Sequence, residues 1–89
     1  KEIIKRRPAL VISRQSFNDH TGFSIVAPIT STVRGMALEI PLQGTATNGV
    51  VLMYQLRSLD VVSRNVSFVE KAPASIINKA TEIALTVIR

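Results

Sequence analysis

The hydrophobic pattern of this chain changes its period once, at Pro73, and that change limits the folds open to it. Before Pro73 the apolar residues come in short runs rich in Val and Ile, each closed by Pro, Gly or a polar turn, which suits strands rather than helices. After it, Ile76, Ile77, Ala80, Ile83, Ala84, Val87 and Ile88 fall on one stripe of an α-helical repeat, and Pro73 suits the first turn. Five or six short strands followed by one amphipathic helix predict a compact barrel or strongly bent sheet with the helix packed on it. At 89 residues the chain makes a single domain, 1–89, without internal repeat or linker. A domain of this size buries only about 60–65% of the surface its unfolded chain exposes, so its stability is modest or shared with a partner.

The strands can be placed individually. Pro8 to Ser13 is a continuous apolar run of the kind covered on both faces. Residues 14–22 are polar and turn-forming and are expected as a loop, with Asn18, Asp19 and Gly22 at its special positions. Phe23 to Ser31 alternates, with Phe23, Ile25, Ala27 and Ile29 expected to face the core. Pro28 cannot donate to a ladder, so the strand should be bulged or at an edge there, beside Thr30. A brief strand over 37–42 is stopped by Pro41, and residues 43–49 form a Gly/Thr/Asn turn. Val50 to Leu59 reads as one central strand, and Val66 to Val69 as the last, after a turn at Ser63-Arg64-Asn65.

Composition excludes several kinds of chemistry. The absence of Cys removes disulfide scaffolds, thiolate zinc sites, iron–sulfur clusters and cysteine nucleophiles. With 46% apolar and 19% charged residues the chain is too hydrophobic to be disordered, yet no apolar run approaches the ~20 residues that span a bilayer. Pro8 interrupts and Arg14 closes the first apolar run, which leaves no secretory signal pattern, and a cytoplasmic location without membrane contact is expected. The net charge of +5 is concentrated: residues 1–14 hold four of the five excess charges, through Lys1, Lys5, Arg6, Arg7 and Arg14 against Glu2. Such a cluster suits nucleic acid or an acidic protein segment, or else serves as a solvated edge.

The lone His20 stands in polar surroundings without other ligand-type residues at metal spacing, so no metal or other cofactor is expected. No carboxylate pair, phosphate loop or hydrolase triad is present either. What remains is arginines (Arg7, Arg34, Arg57, Arg64), hydroxyls on the irregular strand (Thr30, Ser31, Thr32) and the acids Glu2 and Asp60. An arginine fork with hydroxyls can hold a phosphodiester and the added charge of its pentavalent transition state.

The segments Lys5-Arg6-Arg7-Pro8-Ala9-Leu10-Val11-Ile12-Ser13, Phe17-Asn18, Ile25-Val26-Ala27-Pro28-Ile29-Thr30-Ser31, Gly49-Val50-Val51-Leu52 and Gln55-Leu56-Arg57-Ser58-Leu59-Asp60 resemble, in order and spacing, the MazF/PemK family of toxin endoribonucleases. The resemblance implies a mostly β fold with a C-terminal helix, a small barrel similar to SH3 barrels and to the CcdB toxin. It further implies a homodimer that takes single-stranded RNA in a groove and an acidic antitoxin as partner, with DNA bound only through the antitoxin complex. Cleavage would run without a metal, by attack of the ribose 2'-hydroxyl on the adjacent phosphate. On the family's motif Arg7 is the catalytic arginine, Thr30 holds a phosphate oxygen and Glu2 is the base or positioning acid. Lys5, Arg6, Ser31, Gln55, Arg57 and Tyr54 are the expected RNA contacts, although Gln55 and Arg57 also suit dimer contacts and Arg57 with Asp60 equally suits an ion pair at a turn.

Two departures qualify the resemblance. Relatives begin with a further strand and loop ahead of the stretch matching Lys1 to Arg7, so the chain is expected to be short of that first strand. The position before Gln55, frequently an acid in the family, is Tyr54, which can instead stack on a base or accept a hydrogen bond. An inactive relative that only binds RNA or antitoxin is therefore a second reading. A CcdB-like gyrase poison is a third, disfavoured because the chain ends in Val87-Ile88-Arg89 rather than a Trp-Gly-Ile tail.

Overall fold

The structure, a computed structural model, describes residues 2–4, 8–32, 35, 37–61 and 68–88, with side chains for all of these except 2–4, 68 and 88. Its elements in chain order are β1 (Glu2–Ile4), β2 (Ala9–Val11), α1 (Gln15–Thr21), β3 (Phe23–Thr30), β4 (Glu39–Pro41), β5 (Val50–Leu52), a 3-10 turn (Met53–Gln55), β6 (Arg57–Asp60), β7 (Phe68–Lys71) and α2 (Ala74–Ile88). Pairing is antiparallel throughout and runs β4-β5-β3-β2-β1-β7, with β6 also on β3. The mostly β fold with a C-terminal helix is thus as the sequence pattern predicts, with β1 as an additional short strand between β2 and β7.

β3 organises the sheet because it has partners on both sides along its length. β2 lies along one side, from Ala9 opposite Pro28 to Val11 opposite Val26. On the other side β6 pairs with Phe23–Val26 and β5 with Ile29–Thr30. The segment expected as one strand over Val50–Leu59 is therefore broken, and the break has a cause. The Ile29 N–H donates to the Pro8 carbonyl at 2.9 Å, so by alternation position 28 turns its nitrogen to the β5/β6 side. Proline has no hydrogen there to give. Between the two pairings the register slips by three residues, the length of the 3-10 turn, which leaves the ladder opposite Pro28. The turn is anchored at its first residue: Met53 is buried in the core, and its N–H donates to the Leu38 carbonyl at 3.0 Å. Pro28 marks an irregular point, as expected, but on a central strand rather than an edge.

The main core joins Leu10, Ala27, Ile29, Ile40, Val51 and Met53 to Ala72, Ile76 and Ala80 of the helical end. A second cluster of Ala9, Val11 and Val26, with Leu59 against it, covers the opposite face of the sheet. The odd-numbered reading of β3 is corrected accordingly: Ala27 and Ile29 face the main core, but Val26 and Ser24 are also buried and Phe23 is exposed. A strand covered on both faces has no polar face to reveal its orientation. In α2, Ile76 and Ala80 are buried and Ile77, Ile83 and Ala84 pack at the margin, whereas Val87 is exposed. Pro73 stands just ahead of the helix, its carbonyl accepting the Ile76 and Ile77 N–H groups.

The expected loop over 14–22 is instead the helix α1, with Gly22 closing it in the left-handed conformation at φ 77°. Its bonds are local: Gln15 donates to Asp19 and the Thr21 hydroxyl to the Phe17 carbonyl. None of its residues is buried, so the apolar stripe that reveals a helix in sequence is missing. The expected last strand over 66–69 is found at Phe68–Lys71; Val66 and Ser67, and the turn at 63–65, lie outside the described residues.

Candidate functional site

Thr30 ends β3 and is the best-defined of the expected site residues. It pairs with Val50 across the ladder, half-buried, and its hydroxyl accepts the Thr32 N–H at 3.2 Å. A hydroxyl that accepts still has its own proton to donate, as an anionic oxygen requires. The neighbouring residue Ile29 is bonded to Pro8, so the residue that follows Arg7 in the chain lies beside the residue that precedes Thr30. Glu2 lies in β1 with its backbone opposite Lys71. The Glu2 side chain, and Lys5, Arg6 and Arg7 altogether, fall outside the described residues, as do Arg34 and Arg64.

The other candidates divide. Ser31 is exposed immediately after Thr30. Gln55 and Arg57 are exposed on either side of the point where the broken strand rejoins β3, with Arg57 opposite Val26. That puts Arg57 four residues from Thr30 along the same edge of β3, about 13 Å away. Arg57 and Asp60 occupy the two ends of β6, with Arg57 opposite Val26 and Asp60 opposite Phe23. Tyr54 is half-buried and its hydroxyl fully buried, with no hydrogen-bond partner among the described residues. The hydroxyl is thus turned into the protein, while the rest of the side chain reaches the surface.

Two residues to which the sequence reading gave no site role complete the setting. Gly49 has φ 131°, and a Cβ on it would collide with the Thr30 carbonyl oxygen, so the backbones of residues 30 and 49 touch as only glycine permits. Glu70 on β7 accepts three hydrogen bonds from the turn leading to Gly49: the Ala46 N–H at 3.1 Å, the Thr47 N–H at 2.7 Å and the Thr47 hydroxyl at 2.9 Å. These donors, the Ala46 and Thr47 amides first, hold the Glu70 carboxyl below its ordinary pKa. Gly49 carries the visible signal of a glycine between a polar turn and a strand; a lone glutamate in a short strand carries none. A groove between α2 and the start of α1, lined by Ile12, Arg14, Ile77, Thr81 and Leu85 among others, contains none of the expected site residues. Among the described residues no cluster of three His, Asp or Glu side chains has the arrangement of a metal site, and no helix is long and apolar enough to cross a membrane.

Residues 1–87 match the sequence profile of the PemK-like, MazF-like toxins of type II toxin–antitoxin systems. The chain belongs to this family. Its MazF/PemK relatives include the endoribonuclease PemK of Escherichia coli, 32% identical over 78 residues, which are 82% of this chain and 59% of PemK. The endoribonuclease MazF3 of Mycobacterium tuberculosis is 43% identical over 49 residues, 55% of this chain and 46% of that protein. The matched stretch thus spans about half the length of these curated relatives. In three dimensions the fold superimposes on a chain of the MazE–MazF crystal structure from Deinococcus radiodurans with a TM-score of 0.89 at 31% identity, covering 98% of this chain and 90% of that one. The PemK/MazF fold, a small β-barrel-like antiparallel sheet with its C-terminal helix, is therefore the fold of this chain.

Proposed function

We propose that this chain is the toxin of a type II toxin–antitoxin pair and an endoribonuclease that cuts single-stranded RNA, including mRNA, without a metal, in the cytoplasm. The observation that carries the reading is the meeting of β2 and β3, where the Pro8–Ile29 hydrogen bond sets the residue after Arg7 next to the residue before Thr30, within a chain of the PemK/MazF family. Relatives named endoribonuclease and a neighbour crystallised as MazE–MazF support the activity and the antitoxin.

In the proposed reaction the 2'-oxygen attacks the adjacent phosphorus while Glu2 takes or orients the 2'-hydroxyl proton. Thr30 donates to a non-bridging oxygen, and Arg7 neutralises the phosphorane and protonates the departing 5'-oxygen. The P–O5' bond breaks, leaving a 2',3'-cyclic phosphate and a 5'-hydroxyl. Lys5, Arg6, Ser31, Gln55 and Arg57 contact the RNA backbone or bases, and the Tyr54 ring offers a stacking face. The protein works as a homodimer, an acidic antitoxin segment competes for the basic surface, and DNA is bound only through the antitoxin complex. Incubation with a single-stranded transcript in EDTA, with the new ends mapped, tests the reading. Cyclic phosphate ends lost in Arg7→Ala and strongly reduced in Thr30→Val are expected; unchanged cleavage by Arg7→Ala would remove that residue from the mechanism. One observation favours a non-cleaving RNA-binding relative: the residue standing where the family often has an acid is Tyr54, and its polar atom is buried. Salt-sensitive RNA binding without scission would decide for that reading.

A further inference from the structure

The strand order leaves β4 and β7 as the two ends of the sheet, and no strand pairing joins them among the described residues. Glu70 bridges this gap. It sits on β7, opposite Ile3 of β1, and its carboxylate receives both amides and the hydroxyl of the turn that follows β4. Both carboxylate oxygens are used, Oε1 by Ala46 and Oε2 by Thr47 twice. The turn is further tied by the Thr45 hydroxyl donating to the Thr47 carbonyl at 2.7 Å and by the Leu42 N–H donating to the Gly49 carbonyl at 2.9 Å. Its last residue, Gly49, is in backbone contact with Thr30. A chain of direct contacts therefore runs from Glu70 through the 43–49 turn to the threonine of the proposed site. Glu70 also belongs to the β1–β7 pair, and β1 leads in sequence to Arg7.

We propose that Glu70 is a positioning residue for RNA cleavage: its carboxylate is the clasp that closes the open side of the sheet, and by fixing the 43–49 turn it sets where Thr30 meets a phosphate. The inference rests on the cleavage reading above. Charge is what makes the clasp effective, since a carboxylate accepts from two amides and a hydroxyl at once, whereas an amide side chain offers one oxygen and would turn an NH2 group toward one of those donors. Small displacements of a phosphate-holding group are costly to a reaction that depends on alignment.

The test uses Glu70→Gln and the milder Thr47→Val, each alone and combined with Thr30→Val, in the full chain, assayed on a single-stranded transcript well below the melting temperature. With Thr30 present, Glu70→Gln should lower kcat by about tenfold with little change in KM, and Thr47→Val by less. In the Thr30→Val background the same changes should be nearly silent, because their route to the substrate has been removed. Losses that simply multiply, or a lowered melting temperature with unchanged kcat, would overturn the proposal. Amide resonances supply a readout that does not depend on activity: Glu70→Gln should shift the Thr30 and Gly49 signals and speed hydrogen exchange at the Leu42 amide. Unmoved Thr30 and Gly49 signals overturn the role of Glu70, whereas a wild-type protein that cuts no RNA overturns only the cleavage reading.

Discussion

Tyr54 and Glu70 contrast in how their polar atoms are satisfied. Tyr54 buries a hydroxyl with no partner among the described residues, and such a group weakens a fold by about 1–3 kcal/mol relative to a satisfied one. Tyr54→Phe deletes only that oxygen, so thermal unfolding should show equal or higher stability, by up to about 1 kcal/mol, with RNA binding through the ring retained. Glu70 is the reverse case, a carboxylate with three donors. Its folded pKa is depressed, so its contribution is present above the unfolded value of about 4.3 and is lost as pH falls through the lower folded value. Urea midpoints measured from pH 6 down to pH 3 should therefore converge for wild type and Glu70→Gln, because the uncharged variant has no clasp to lose. A constant gap across that range would show that the carboxylate charge is not what holds the turn.

At the scale of elements, the break in the long apolar stretch shows what sequence does and does not convey. Val50 to Leu59 is apolar enough to read as one strand, and Val50–Val51 and Arg57–Leu59 do pair antiparallel with β3. What divides it is a residue on another strand: the ladder fails opposite Pro28, and a buried Met53 gives the excursion an anchor. Neither fact is local to 50–59. The α1 helix is hidden for a related reason, since a helix that buries nothing has no stripe to display, whereas α2 is legible from its own residues. The candidate site follows the same division. Thr30 and Gly49 both fall in segments that resemble the family, but the Gly49–Thr30 contact and the Glu70 hydrogen bonds cross 19 and 23 or more positions of sequence, and Glu70 carries no motif of its own. Because the 3-10 turn is held by one side chain and one backbone bond, Met53→Ala should cost about 2–4 kcal/mol in denaturant unfolding. It should also release Tyr54 and Gln55, seen as loss of order in their amide signals; a cost under about 1 kcal/mol would mean that the turn collapses onto the cavity and needs no anchor.

At the scale of the molecule, the distribution of charge along the sequence can be set against the order of the strands. Four of the five excess charges lie in residues 1–14, which supply β1, β2 and the segment between them, and β2 lies directly against the strand that ends at Thr30. A site of this kind attracts RNA through counterion release, so affinity should fall with salt in proportion to the number of phosphates met. For single-stranded RNA each phosphate contact contributes about 0.7 to the slope of log affinity against log salt. Lys5→Gln and Arg6→Gln should each reduce that slope by about this amount, or by about twice as much if a homodimer presents both copies to one strand. Arg14→Gln, in the groove beside α2 and away from Thr30, should leave the slope unchanged. Filter-binding titrations across a salt series separate these cases. An equal reduction by all three substitutions would mean that RNA is drawn to the basic half as a whole, and that the route past Pro8 to Thr30 is not where the strand lies.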